Sequence, residues 1–392
     1  MPKQIPLFKV FMSEEAPLEA SKVLQSGYIG QGPIVEKFEY SLKNFFGNQN
    51  IVTTNSATSA EHLILHMLRK DNREMVRGKH LYSWPGINEE DEILTSPLTC
   101  TATNWPIILN NYKIKWVDVE PNSCNIDLKD LERKISIKTK IIVLVHWGGN
   151  PVDLDKLSII LDKSEKKFGF RPLVIEDCAH AFGSIYNNAL IGTHGNFATF
   201  SFQAIKHLTS VDGGCMILPN ENLVKRAKLL RWYGIDREQN RKDFRCEEDV
   251  SEAGFKMHLN DVNAAVGLAN LNHVINKVIP LHRNNASFYK ERLADLGGIN
   301  LSNEIENSES SYWLFTLFVE EQQKFIECLT KQGIQVSRVH ERNDIHSCVD
   351  QYKTDLPGVN QAVSKMVCIP VGWWVSEEDR NYILDTIKSG WI

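Results

Sequence analysis

Long apolar runs are missing from this 392-residue chain. The longest, such as IIVLV at 141–145, fall far short of the roughly 20 residues a membrane-spanning helix needs. The opening stretch, MPKQIPLFKVFMSEEAP, has neither an apolar signal core nor a small-residue cleavage site, so a soluble, cytoplasmic protein is the expectation. No block of five like charges occurs, and 44 Lys and Arg against 49 Asp and Glu leave a net charge of −5. That balance argues against binding to nucleic acid by bulk electrostatics. The eight cysteines contain no C-x-x-C pair and no zinc-finger spacing. They read as free, mostly buried thiols in a reducing compartment, with no metal site. The glycine fingerprints of P-loop and Rossmann nucleotide sites are missing as well, and neither internal repeats nor low-complexity segments are evident.

What remains is ordinary globular composition, 42% hydrophobic and 24% charged, at a length that suggests two domains. From about 50 to 220, short apolar runs alternate with helix-like stretches. IVTT precedes a Ser/Thr/Asn turn and an amphipathic helix carrying Leu63, Leu65, Met67 and Leu68. IKWVDVE (114–120), KIIVLVHW (140–147), PLVIEDCAH (172–180) and NFATFSF (196–202) read as strands, and the spacing predicts a helix over 154–168. Strand–helix–strand repetition implies parallel pairing with right-handed crossovers. The predicted fold class is therefore α/β, with ligands at the carboxyl ends of the strands. The region 221–295 reads as helical segments broken near Pro280, and short strands with flanking helices follow. A large domain over 1–265 and a smaller C-terminal α/β domain over 266–392 are expected. The polar stretch 70–92 is too irregular for the main sheet and reads as a surface loop.

Three weak signals converge. Glu176 and Asp177 end the apolar run LVI, where a parallel strand meets its ligand, although a solvated strand end is the plainer reading. Lys206 follows the strand-like FATFSFQAI; partial desolvation there would lower its pKa and give a nucleophilic amine. The turn Asn55–Ser59 precedes a helix, whose free amides and hydroxyls suit a phosphate as well as they suit ordinary capping. An amine, a carboxylate and a phosphate turn together meet the needs of pyridoxal 5′-phosphate (PLP) chemistry. The amine binds the cofactor covalently, the carboxylate keeps its pyridine nitrogen protonated, and the turn holds its phosphate.

Eight segments carry a resemblance, among them LQSGYIGQGPIVEKFE (24–39), TTNSATSAEHL (53–63), IEDCAHAFGS (175–184), FSFQAIKHLTSVDGG (200–214) and GFKMHLNDVNAAVGLANL (254–271). In order and spacing they resemble the DegT/DnrJ/EryC1/StrS family of PLP-dependent nucleotide-sugar aminotransferases, over nearly the whole chain. The resemblance implies the aspartate-aminotransferase-like fold (PLP fold type I), its large domain built on a mixed, mostly parallel sheet. It makes Lys206 the cofactor-anchoring lysine, Asp177 the partner of the pyridine nitrogen and His180 the residue near the cofactor's phenolic oxygen. Ser201 and the backbone amides of Ala57 and Thr58 would hold the phosphate. A homodimer with a composite active site is implied, in which Lys256 or His258 of the neighbouring subunit supplies a further phosphate contact. The implied reaction moves an amino group from an amino-acid donor, L-glutamate, to the keto group of a nucleotide-linked deoxy sugar, as in surface-glycan or lipopolysaccharide biosynthesis.

Two positions depart from the family pattern. Ala57 stands where Gly is common, and Cys100 stands where many members stack an aromatic ring on the pyridine. The stretch 70–92 is also longer than the family's usual helix-to-strand link, and the resemblance implies that it could reach the site mouth, where Tyr82, Trp84 and Pro85 would suit a sugar or nucleotide face. A dehydratase branch of the family has histidine in place of the anchoring lysine; this chain has Lys206, with His207 following. A regulatory member without chemistry is the other alternative, against which Lys206, Asp177, Ser201 and His180 are present together. Arg338, His340 and His346 fall where relatives often approach substrate, and Trp373, Trp374 and Trp391 read as small-domain packing.

Overall fold

Strand and helix alternate along the chain, and the β-branched runs expected as strands pair side by side. The computed structural model describes residues 4–69, 74–77, 80–237 and 249–391, with backbone alone at 74–77 and 80–83. Helices α1 (Glu15–Ser26) and α2 (Pro33–Phe46) lead into strand β1 (Ile51–Thr54) and helix α3 (Ala57–Leu68). A hairpin of β2 (Glu74–Arg77) and β3 (His80–Ser83) comes next, then β4 (Glu92–Thr95), α4 (Thr101–Leu109), β5 (Lys113–Trp116), α5 (Leu128–Lys134) and β6 (Thr139–Val145). Helix α6 (Leu154–Phe168) and β7 (Leu173–Asp177) precede two short strands, β8 (Ile185–Tyr186) and β9 (Ala189–Leu190); β10 (Phe197–Ser201), β11 (Gly214–Ile217) and α7 (Glu221–Leu230) complete this region.

Seven of these strands form one sheet in the order β1-β11-β10-β7-β6-β4-β5. The five from β10 to β5 are parallel to their neighbours, while β11 runs antiparallel to both β1 and β10. A parallel sheet is covered on both faces, and here two apolar cores do so. One joins α3, α4 and α7 to the face carrying Ile141, Val143, Leu173 and Ile175. The other joins α2, α5, α6 and α8 (Asp261–His273) to the face carrying Ile142, Leu144 and Val174. The three-layer α/β arrangement expected from the alternation is thus present.

Two elements differ from the sequence expectation, each for a local reason. The run 114–120 stops being strand at Trp116, because Asp118 turns its carboxylate to accept the amides of Gly358 and Val359. The helix expected to break near Pro280 does not break. A π-helical turn over Val274–Val278 joins α8 to α9 (Ile279–Leu293), with Pro280 in the first turn of α9. Widening the helix just before proline accommodates a ring that cannot donate to the preceding turn.

Beyond this turn the chain builds a second body. A three-stranded sheet of β12 (Ile299–Leu301), β14 (Phe315–Val319) and β15 (Met366–Ile369) packs with α9, α10 (Gln322–Lys331) and α12 (Glu377–Lys388). Strand β13 (Ser308–Glu309) instead pairs with β8, and α11 (Pro357–Lys365) packs into the large-sheet core. Ile5, near the start of the chain, exchanges backbone hydrogen bonds with Gly333 and Gln335 and so belongs to the second body. Residues 266–273 continue α8 along α1 and α2, on the large body's side of the π-turn, beyond the expected division at 265. Within the stretch 70–92, β2 and β3 pair with each other outside the main sheet, whose strand β4 begins at Glu92.

Candidate active site

Strand β7 ends in two carboxylates that point opposite ways, as alternating strand residues must. Glu176 turns into the core beneath α2 and α6. There it meets His146 Nε2 at 3.0 Å and accepts from Asn196 Nδ2 at 2.7 Å. His146 Nδ1 accepts the Val152 amide at 3.0 Å, so the ring carries its proton on Nε2 and donates it to Glu176. Cys178 lies beside this pair, but its thiol donates to the Glu176 backbone carbonyl and both histidine nitrogens are engaged. The cluster is a satisfied core network.

Asp177 turns to the other face, under α3 and α4. Thr103 Oγ1 donates to its Oδ2 at 2.6 Å, and the Ala179 amide donates to its Oδ1 at 2.9 Å. Thr99 in turn donates to Thr103 at 3.0 Å. The register β7–β10 pairs Asp177 with Thr199. Ser201, two residues on, lies on the same face. Its strand neighbour in β11 is Gly214, where any side chain would run into the Ala57 amide. Close approach of β11 to the start of α3 therefore requires glycine at this position. Ser56 caps α3 by accepting the Ser59 amide at 3.1 Å, while the first amides of a helix, here at Ala57 and Thr58, have no partner within it. Ala57, Thr58, Ser201 and Asp177 are thus gathered on one face.

Lys206 sits in the turn between β10 and β11, half-buried. Its Nζ lies 3.6 Å from the ring centre of Trp313. Burial lowers the amine's pKa to about 8, against the upward pull of Asp177 and Cys100. Trp313 is locked by its indole N–H, which donates to the Ile205 carbonyl at 2.8 Å. His180 stacks on Trp313 with centroids 4.0 Å apart, and His340 lies parallel to His180 at 5.4 Å. The Gly148 amide donates to His180 Nδ1 at 3.3 Å, leaving the proton on Nε2, which faces His340 Nε2 at 3.4 Å. Burial, then the ammonium of Lys206, push the His180 imidazole well below its ordinary range, and the same two causes take His340 to about 3. Lys206 is therefore ringed by neutral imidazoles and an aromatic wall.

The residues present fit a phosphorylated pyridine. A buried carboxylate faces the amine, a helix N-terminus with its crowding side chain deleted stands beside Ser201, and an aromatic shelf lies against the lysine. Cys100 caps the N-terminus of α4 and is half-buried, near enough to act on Lys206. The aromatic neighbour of the lysine comes from Trp313 instead. Lys256 is exposed, whereas His258 packs against Trp232 of its own chain with centroids 3.7 Å apart, burial taking it to about 4. Arg338 is ion-paired to Glu341 at 2.7 Å. Trp84 is fully buried in the large-body core, which removes it from any substrate face; the Tyr82 side chain lies outside the described residues. Sequence reasoning missed Trp313, Thr103 and Glu61. Glu61, a carboxylate inside the apolar stripe of α3, left a readable signal.

The described residues contain no helix long and apolar enough to cross a membrane. Comparison with solved structures finds AtS13 from Actinomadura melliaura, 45% identical with a TM-score of 0.91 and 99% of each chain covered. The sugar aminotransferase CalS13 from Micromonospora echinospora is 40% identical with a TM-score of 0.91, over 99% of this chain and all of that one. The PLP form of Spr1654 from Streptococcus pneumoniae shares the fold at 24% identity and a TM-score of 0.85, over 99% and 98% of the two chains. The profile of the DegT/DnrJ/EryC1/StrS aminotransferase family matches residues 11–388. The chain belongs to that family.

Proposed function

We propose that this enzyme is a PLP-dependent aminotransferase that passes an amino group from L-glutamate to the keto group of a nucleotide-linked sugar. The observation that carries the reading is the half-buried Lys206 amine, lowered to about 8 opposite Asp177 and pressed on Trp313. Such an amine is available as a base near neutral pH, which an ordinary lysine is not. CalS13, at 40% identity, is described as a sugar aminotransferase, and this supports the choice of acceptor.

In this reading Lys206 would anchor the cofactor, Asp177 would accept its ring N–H, His180 would lie near its phenolic oxygen, and Ser201 with the Ala57 and Thr58 amides would hold its phosphate. Bound there, PLP would supply the electron-withdrawing ring that lets a donor Cα–H bond be broken. Lys206 Nζ would take that proton and return it during transfer. Thr103 and Ala179 fix the Asp177 carboxylate by two donors, so its orientation is set before a ligand arrives. Trp313 and His340 shield the amine from water, which keeps its pKa low. We also read the chain as a homodimer, supported by the exposed apolar side chains Leu24, Tyr28 and Ile29, and take exposed Lys256 over His258 as the cross-subunit phosphate contact. The test is product mass spectrometry after incubating PLP-loaded protein with L-glutamate and a panel of nucleotide-linked keto sugars. Amination of at least one is expected; amination of none, with the lysine adduct present, would overturn the assigned acceptor.

A further inference from the structure

Glu61 is the single acidic residue of α3 and is only 3% exposed. Its Oε1 accepts from Thr199 Oγ1 at 3.1 Å. Its Oε2 is buried with no hydrogen-bond partner, and the carboxyl lies beside that of Asp177. Among the described residues no Lys or Arg forms an ion pair with either group; the buried pair Arg231–Glu39 belongs to other elements. Two carboxylates in dry contact without a bridging cation cannot both stay ionised. Asp177 already receives two donors, from Thr103 and Ala179, whereas Glu61 receives one. The shared proton therefore resides on Glu61, and the orphaned oxygen becomes a donor to Asp177.

We infer that Glu61 is a positioning residue for the reaction: as a neutral acid it hydrogen-bonds Asp177 and limits the negative charge that Asp177 presents to a ring nitrogen. The inference rests on the reading of Asp177 as the pyridine partner. The surroundings agree with it. The groups facing Glu61 are Asp177 from β7, Thr199 from β10 and Cys100 from the start of α4, with Lys206 opposite Asp177. Burial, then the Asp177 charge, hold the Glu61 carboxyl well above the usual range, and the Thr199 hydroxyl opposes them only in part. A third donor on Asp177 spreads its charge over more partners. The ring proton is then held without being withdrawn.

Infrared spectroscopy of the protein at neutral pH, before and after PLP loading, reads the proton directly. A carbonyl-stretch band of an un-ionised, hydrogen-bonded carboxylic acid is expected, and Glu61→Gln should remove it. In the loaded protein, the pH midpoint of the cofactor's absorbance change reads the effect on Asp177. Glu61→Gln keeps a donor toward Asp177 and should hold the wild-type midpoint. Glu61→Leu removes the donor and should raise the midpoint by roughly one unit, the scale of one hydrogen bond to a charged group. A missing band, or identical midpoints for the Gln and Leu variants, would overturn the inference. If the band is present but Asp177→Asn leaves the midpoint where it was, the reading of Asp177 as ring partner fails, and this role of Glu61 falls with it.

Discussion

Glu176 and Asp177 are chain neighbours at the end of one strand, and their surroundings could hardly differ more. Glu176 is sealed on the α2–α6 side against His146 and Asn196, each carboxylate oxygen answered by one neutral donor. Asp177, on the α3–α4 side, is held by a hydroxyl and an amide, with a second acid and the Lys206 amine nearby. Burial would raise the Glu176 carboxyl, yet the His146 and Asn196 hydrogen bonds bring it below its usual value. A one-residue step along a strand thus separates a carboxylate that stabilises the fold from one arranged to meet a ligand.

Five substitutions break or sharpen that contrast. On the Asp177 face, Lys206→Ala should lower turnover by about 10²–10⁴-fold or more, the usual scale of a lost general base. It should also abolish covalent PLP attachment while circular dichroism and melting temperature stay near wild type. Asp177→Asn keeps the shape but loses the charge; turnover measured at saturating PLP should drop roughly 10–150-fold, as for a hydrogen bond to a charged group.

Glu176→Gln is the counterpart on the opposite face. It should cost about 1–2 kcal/mol of stability in denaturant titration and leave turnover per folded molecule unchanged. The pH dependence has a defined sign. A carboxyl whose folded pKa is depressed contributes stability above its unfolded value, here 4.5, and loses it as pH falls through the folded pKa. The stability gap between wild type and Glu176→Gln should therefore close below about pH 4.5. A gap that widened in acid would place the charge elsewhere. The smallest effect belongs to the exposed edge: Lys256→Ala should weaken PLP binding about two- to fivefold by equilibrium titration, in line with surface charge contacts, and His258→Ala less. The reverse order would transfer the cross-subunit role to His258.

The periodic elements were legible from the sequence. Helix α6 spans Leu154–Phe168, as its apolar spacing implied, and the strand β7 with its terminal acids lies inside the run read as strand. Alternation alone separates Glu176 from Asp177, but both faces of a parallel sheet are apolar, so nothing local says which face holds the ligand. That face is chosen by α3 and by the Gly214 approach, contacts between distant segments. Trp313 belongs to a run that reads simply as small-domain strand, and only folding brings it to Lys206. Glu61 left one sign in the sequence, an acid inside the apolar stripe of α3, but its place beside Asp177 is set only when the sheet closes over that helix. The hairpin β2–β3 escaped because strands of four residues are too short for alternation to mark them.

The central claim is that position 206 carries the cofactor. Borohydride reduction of PLP-loaded protein, followed by proteolysis and peptide mass spectrometry, tests it most directly. The account predicts a pyridoxyl-phosphate mass increment on the peptide containing Lys206, lost in Lys206→Ala. An increment on a different lysine, or none in a protein that still binds PLP, would contradict it.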